Sequence, residues 1–390
     1  MIPYSRQNIN TEDIKSVKKV LRSDFLTQGS FVPKFENLLV KFTGAKYSVT
    51  ANSATSALHI ACLALEVEKG DIVWTSPNTF VASANCALYC GADVDFVDIN
   101  PSTYNICIDS LETKLIEAKK FNKLPKVIIP VHFSGYPCDM PKIYKLSKKY
   151  NFKIIEDASH AIGSKYNYSK KDIKIGSCKH SHITIFSFHP VKIITTGEGG
   201  AALTNNKKLA NKMKIFRTNG ITRNQKEMVK KTEGPWYYQQ IYLGFNYRLN
   251  DIEAALGISQ LKRIKFFLNR RNKIANYYDK NLKNLPINIP FRKKGIYSSY
   301  HLYVITLKDN GIKSKNQSNL YKKLKRNGIG VNIHYIPVHT QPHYQSLGFK
   351  EGDFPVSEAY YKKAISLPIH PGLSSKEQDY IITNIKNFFL

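Results

Sequence analysis

Four short stretches of this chain carry residue types that could do chemistry. In Ser187-Phe188-His189-Pro190-Val191-Lys192 a lysine closes an apolar run. A lysine amine held away from water loses affinity for its proton and can then add to an aldehyde as a Schiff base. In Ile154-Ile155-Glu156-Asp157-Ala158-Ser159-His160 an acidic pair ends another apolar run. A carboxylate there is costly unless it meets a cation, and a protonated pyridine nitrogen is such a cation. Asn52-Ser53-Ala54-Thr55-Ser56-Ala57-Leu58 puts small hydroxyl residues at the start of an apolar helix. Free N–H groups and the positive dipole end favour phosphate at such a place. In Thr195-Thr196-Gly197-Glu198-Gly199-Gly200 the glycines permit a tight turn and close backbone approach. The Gly-Lys-Ser/Thr ending of a P-loop is missing.

Each stretch also has a plain structural reading. Ser and Thr cap helices. A strand-end acid can belong to an ion pair. One lysine among 58 basic residues is ordinarily solvated. A glycine run can be only a loop. Taken together, a phosphate-binding helix start, a strand-end Asp157 and a strand-end Lys192 are the parts needed to seat pyridoxal 5'-phosphate.

The elements that must position these residues alternate. Ala57 to Leu65 has a helical stripe, Ile72-Val73-Trp74 reads as a strand, Val81 to Cys90 as a helix and Val94 to Ile99 as a strand. Val127 to Val131, Phe152 to Ile155, Ile183 to Phe188 and Ala201 to Thr204 read as further strands, with a helix over Pro141 to Tyr150. Such alternation predicts an α/β fold with a mainly parallel sheet covered by helices on both faces. Ligands in such sheets bind beyond the carboxyl ends of the strands. After residue 250 the pattern changes. Asn250 and Glu253 form a capping pair for a long, interrupted helix from Asp251 to about Leu282. A strand over His301 to Leu307, a helix over Ser318 to Arg326 and a last helix from Ser375 follow. The reading is a large α/β domain over 1–250 and a small α+β domain over 251–390.

Composition narrows the function classes. No run of about 18 uncharged apolar residues is present, so no membrane span is expected. The opening Met1-Ile2-Pro3-Tyr4-Ser5-Arg6 lacks a signal-peptide layout, which predicts a cytoplasmic protein. The net charge of +29 is spread along the chain in a background rich in Lys, Asn and Ile, so no nucleic-acid partner is expected. The six cysteines lack a Cys-x-x-Cys pair, and no metal site is expected. Cys86 and Cys90, one helical turn apart, suit a buried helix face.

The ordered motifs resemble those of the DegT/DnrJ/EryC1/StrS sugar aminotransferases. They include Leu26-Thr27-Gln28-Gly29, Thr55-Ser56-Ala57-Leu58, Glu156-Asp157-Ala158, Lys192 with Gly197-Glu198-Gly199-Gly200, Gly244-Phe245-Asn246-Tyr247-Arg248 and His334-Tyr335-Ile336-Pro337-Val338-His339. The resemblance implies a type I pyridoxal-phosphate-dependent aminotransferase fold, with Lys192 as Schiff-base lysine and proton shuttle. It implies that Asp157 pairs with the pyridinium nitrogen, Phe80 stacks on the ring, and His160 sits near the ring's phenolic oxygen. Ala54, Thr55 and Ser187 would bind the phosphate, and Asn246 would reach it from the neighbouring subunit of a homodimer. Tyr4, Thr27, Tyr335 and His339 are expected substrate contacts. Ala54 stands where many members have Gly, and Ser159 where many have Ala. Lysine at 192 argues against the dehydrating branch, which carries His there. Within the family, Ile2-Pro3-Tyr4-Ser5-Arg6-Gln7 and Gly234-Pro235-Trp236-Tyr237-Tyr238 point to enzymes that aminate C4 of a UDP-linked 4-keto-6-deoxy-N-acetylhexosamine. Glutamate would be the amino donor and pseudaminic acid the end product. The alternative is another 4-keto or 3-keto sugar, linked to dTDP or GDP.

Overall fold

The apolar runs become the seven strands of one sheet in the computed structural model, which describes residues 1–308 and 315–390. In spatial order they are Tyr47–Ala51, Gly200–Thr204, Ile183–Ser187, Lys153–Asp157, Val127–Ile129, Ile72–Thr75 and Asp93–Phe96. Every pairing from Ile183–Ser187 to Asp93–Phe96 is parallel. Gly200–Thr204 alone runs antiparallel to both its neighbours. The fold is therefore the expected α/β sheet, mostly parallel and mixed at one side.

Side chains alternate across the sheet, and this parity decides which face each residue serves. Ile154 and Phe186 enter one apolar cluster with Phe35, Leu39 and Ile258. Ile155 and Ile185 enter the other, with Leu58, Ile60 and Val73. Asp157 shares the parity of Ile155, and Glu156 that of Ile154. The acidic pair is thus split between the two faces of the sheet.

Helix Ala54–Ala64 begins at Ser53, whose hydroxyl accepts from the Ser56 N–H at 3.0 Å. Helix Ala82–Leu88 packs beside it. The Asn250–Glu253 capping box forms as its spacing predicts and opens helix Asp251–Lys262. The interruption falls at Arg263, after which helix Ile264–Leu282 continues.

A second apolar cluster system lies around a three-stranded antiparallel sheet ordered Ile287–Asn288, Tyr303–Leu307, Ala364–Leu367. Helices Ile264–Leu282, Gln317–Arg326 and Ser375–Phe389 supply Ile274, Tyr278, Leu320 and Ile381 to it. Helix Asp251–Lys262, however, packs on helices Thr11–Leu21 and Phe31–Thr43 of the large unit, and that unit's core continues to Leu268. We place the division of the chain within helix Ile264–Leu282, between Leu268 and Ile274, rather than at residue 250. Among the described residues, no helix is long and apolar enough to cross a membrane, and no group of three or more His, Cys, Asp or Glu could hold a metal ion.

Candidate active site

A cavity of about 480 Å³ opens beyond the carboxyl ends of the parallel strands. Its size is that of a small-molecule site. Ala54, Thr55, Phe80, Asp157, His160, Ser187, Lys192, Tyr4 and Tyr335 all line it. Nine of the residues singled out in the sequence therefore converge, from segments far apart in the chain.

Lys192 sits in the loop that links strand Ile183–Ser187 to strand Gly200–Thr204. The loop is closed on itself. Phe188 donates its N–H to the Gly199 carbonyl, and its own carbonyl accepts from the Thr196 N–H and the Thr195 hydroxyl, each at 2.9 Å. From outside, the Ser5 hydroxyl donates to the Val191 carbonyl at 2.9 Å. The lysine is thus held at the cavity wall. Burial, only partly offset by the Asp157 charge, lowers its pKa to about 8. A substantial fraction of the amine is neutral near pH 8, as a nucleophile and proton carrier requires.

Asp157 is buried, and both carboxylate oxygens are oriented by donors. Ser83 Oγ donates to Oδ2 at 2.6 Å, and the Ser159 N–H donates to Oδ1 at 3.0 Å. Ser83 is in turn paired with the Thr79 hydroxyl at 2.8 Å. No lysine or arginine forms a salt bridge with Asp157 among the described residues. A buried carboxylate at a cavity wall without a cationic partner matches what a protonated ring nitrogen would satisfy.

His160 is buried beside them. The Ser134 N–H donates to its Nδ1 at 3.2 Å, which leaves the proton of the neutral ring on Nε2, 3.1 Å from the Tyr335 hydroxyl. Burial first, then the Lys192 and His334 charges, push its pKa well below the usual imidazole value. Burial, with Asp157 and Tyr4 adding to it, raises that of Tyr335. Both side chains are neutral near pH 7.

The phosphate end follows from the helix start. Ala54 and Thr55 are the first residues of helix Ala54–Ala64, whose leading N–H groups have no intrahelical acceptors. Gly200 packs against this turn. A Cβ there would lie 2.5 Å from the Ala54 nitrogen, so only glycine lets the sheet reach the helix start. The residues present therefore fit pyridoxal phosphate at its three chemically distinct points.

Three expected site residues lie elsewhere. His339 is fully buried, its Nε2 paired with Glu358 at 2.9 Å and its ring packed on Phe354. The expected substrate contact is therefore not seen within its own chain, since His339 is buried and does not line the cavity. Thr27 and Asn246 are exposed and do not line the cavity of their own chain. Several residues in or behind the cavity wall carried no signal in the sequence. Ser83, which orients Asp157, looks like any small helical residue, and His301 reads only as the start of a strand. His301 packs against His160 with ring centroids 4.3 Å apart and the planes tilted by 41°. Asn332, His334 and Glu198 complete the wall.

A lysine, an aspartate and a helix start meeting at the mouth of this sheet define an enzyme site for pyridoxal-phosphate chemistry. The DegT/DnrJ/EryC1/StrS aminotransferase family model matches residues 7–386, and the chain belongs to that family. It is a pyridoxal-phosphate-dependent aminotransferase of the nucleotide-sugar class. It is 40% identical to the UDP-4-amino-4,6-dideoxy-N-acetyl-beta-L-altrosamine transaminase of Campylobacter jejuni over 98% of this chain and 96% of that one. It is 32% identical to the GDP-perosamine synthase of Escherichia coli O157:H7, over 100% and 98%. Among solved structures it is similar to Helicobacter pylori PseC, an aminotransferase involved in the biosynthesis of pseudoaminic acid. The TM-score is 0.86 at 33% identity, covering 100% of this chain and 99% of that one.

Proposed function

We propose that the chain moves an amino group from L-glutamate to C4 of a UDP-linked 4-keto-6-deoxy-N-acetylhexosamine. The product is UDP-4-amino-4,6-dideoxy-N-acetyl-β-L-altrosamine, for pseudaminic acid synthesis in the cytoplasm. The observation that carries the chemistry is the convergence of Lys192, Asp157 and the Ala54–Thr55 helix start on one cavity. The similarity to the Campylobacter enzyme supports the choice of sugar.

When bound, pyridoxal phosphate supplies an aldehyde carbon that carries the amino group between substrates and a ring that accepts electrons. Lys192 Nζ takes the proton from Cα of glutamate and later delivers one to C4 of the sugar. Its lowered pKa suits it to both tasks. Asp157, oriented by the Ser83 hydroxyl and the Ser159 N–H, would face the ring nitrogen as its hydrogen-bond partner. His160 offers Nε2–H as a neutral donor together with the Tyr335 hydroxyl. Phe80 would cover the ring face, and Ala54, Thr55 and Ser187 would hold the phosphate. Asn246, exposed outside its own cavity, reaches the phosphate of the partner in a homodimer. Tyr4 and Tyr335, both on the cavity wall, contact the sugar.

The second reading is a GDP-linked 4-keto sugar, favoured by the likeness to GDP-perosamine synthase. Incubation with glutamate and a panel of UDP-, dTDP- and GDP-linked 4-keto sugars, with products read by mass, tests both. Amination of the UDP-linked N-acetyl sugar at the highest kcat/KM is expected. A preference for the GDP-linked sugar would overturn the first reading in favour of the second.

A further inference from the structure

Three buried histidines stand on the cavity wall, and their hydrogen-bond shells differ. His160 has both ring nitrogens engaged, Nδ1 by the Ser134 N–H and Nε2 by the Tyr335 hydroxyl. His334 has both engaged as well. Its Nδ1 meets the Ser366 hydroxyl at 2.8 Å, and its Nε2 meets the Asn332 amide nitrogen at 3.4 Å. His301 has neither engaged among the described residues. Its Nδ1 is sealed without a partner, whereas Nε2, equally without one, is not sealed. An orphaned N–H is harder to bury than a lone pair, so the neutral ring carries its proton on Nε2, the side left open to the cavity. Burial first, then the neighbouring charges, hold its pKa well below the usual imidazole value, and the ring is neutral near pH 7.

A buried cation grips the peptide that carries this ring. Arg271, on helix Ile264–Leu282, is only 1% exposed. Its Nη1 donates to the carbonyls of Tyr300 and His301, each at 3.1 Å, and to that of Ile369 at 2.9 Å. No carboxylate bridges to it among the described residues. Burial draws its pKa down to about 9, which leaves it charged near pH 7. A buried cation with only carbonyl partners is uncompensated, and its field favours an anion nearby. The cavity has no other fixed cation of its own chain. Among the described residues no arginine lines it, and Lys192, its one lysine, is taken up by the chemistry.

We propose that His301 receives a carboxylate of the amino donor, its Nε2–H donating to a carboxylate oxygen in the field of Arg271. The inference rests on glutamate as the donor proposed above, and it gives that donor a binding residue separate from the groups that move the proton. Asp157 and Glu198, also on the wall, repel the same carboxylate and leave the His301 side as its place. The UDP-linked keto sugar carries no carboxylate, so the loss of His301 falls on one substrate and not on the other.

Two variants separate these effects. His301→Phe keeps a ring against His160 and removes the donor, while His301→Gln keeps an N–H near the place of Nε2. In the Phe variant KM for glutamate should rise about 30-fold, the size of one lost hydrogen bond to a charged group, with the loss on KM rather than kcat. KM for the keto sugar should rise less than about threefold. Glutarate, which carries both carboxylates but no amine, should weaken as an inhibitor by the same factor as glutamate. The Gln variant should recover to within about fivefold of the unmodified enzyme. In the unmodified holoenzyme, isotope-labelled at the histidine nitrogens, glutarate should shift the imidazole signal that His301→Gln lacks. Equal rises in KM for both substrates, no recovery in the Gln variant, or an unshifted His301 signal overturns the inference. An unmodified enzyme that takes no amino group from glutamate overturns the proposed donor itself, and that result is read before any variant is made.

Discussion

Glu156 and Asp157 are adjacent in the chain, yet they occupy two chemically different regions. Glu156 points into a closed polar knot. His132 Nε2 lies 2.8 Å from one of its oxygens, and Ser181 and Thr184 donate to the other. Burial would raise its pKa, but the His132 hydrogen bond and charge, with the two hydroxyls, bring it below the usual value. Asp157 points to the opposite face, where donors orient it but no described lysine or arginine forms a salt bridge with it. One carboxylate has all its partners within the fold. The other has a place left for a ligand. Residue type did not distinguish them; the completeness of the shell around each did.

The sharpest way to break this contrast is at the cavity. Lys192→Ala should reduce turnover by at least about 10⁴-fold with an unchanged thermal midpoint, since covalent and proton-transfer roles vanish together. Asp157→Asn should lower kcat roughly 100- to 1,000-fold while the fold persists. In cofactor-free protein, capture of pyridoxal phosphate by Lys192, fixed with borohydride, should rise with pH around a midpoint near 8. Lys192 is a charged amine below that midpoint and a neutral one above it. Midpoint capture near 10.5, the ordinary lysine value, would mean that burial does not act on it. Ser83→Ala should cost about tenfold in kcat by releasing one oxygen of Asp157. At the other pole, Glu156→Gln should change turnover by less than about threefold. It should lose about 3 kcal/mol of stability in denaturant unfolding, because it leaves a buried pair half-made. If Glu156→Gln and Asp157→Asn behaved alike, the distinction between the two regions would collapse.

His339 repeats the lesson inside the site prediction. It shares a motif with Tyr335, and both were expected at the substrate. Tyr335 reaches His160 at the cavity wall, whereas His339, four residues on, is closed off by Glu358. Ser83 is the opposite case. Nothing in Ala82-Ser83-Ala84 marks it, because its function depends on a strand 74 residues away, at Asp157.

Local chemistry fixed a good deal of this protein within its sequence. Apolar runs and capping pairs specified the strands, the Ser53-led helix and the Asn250–Glu253 helix start, because they act over a few residues. Lys192, Asp157 and the Ala54–Thr55 turn were legible through type, position at element ends and family likeness. The tertiary structure alone decided which of two neighbouring acids faces the cavity, which histidine is sealed, and that Asp251–Lys262 joins the large core. Those outcomes depend on strand parity and helix packing, which bring together groups whose separation in the chain carries no information about their separation in space.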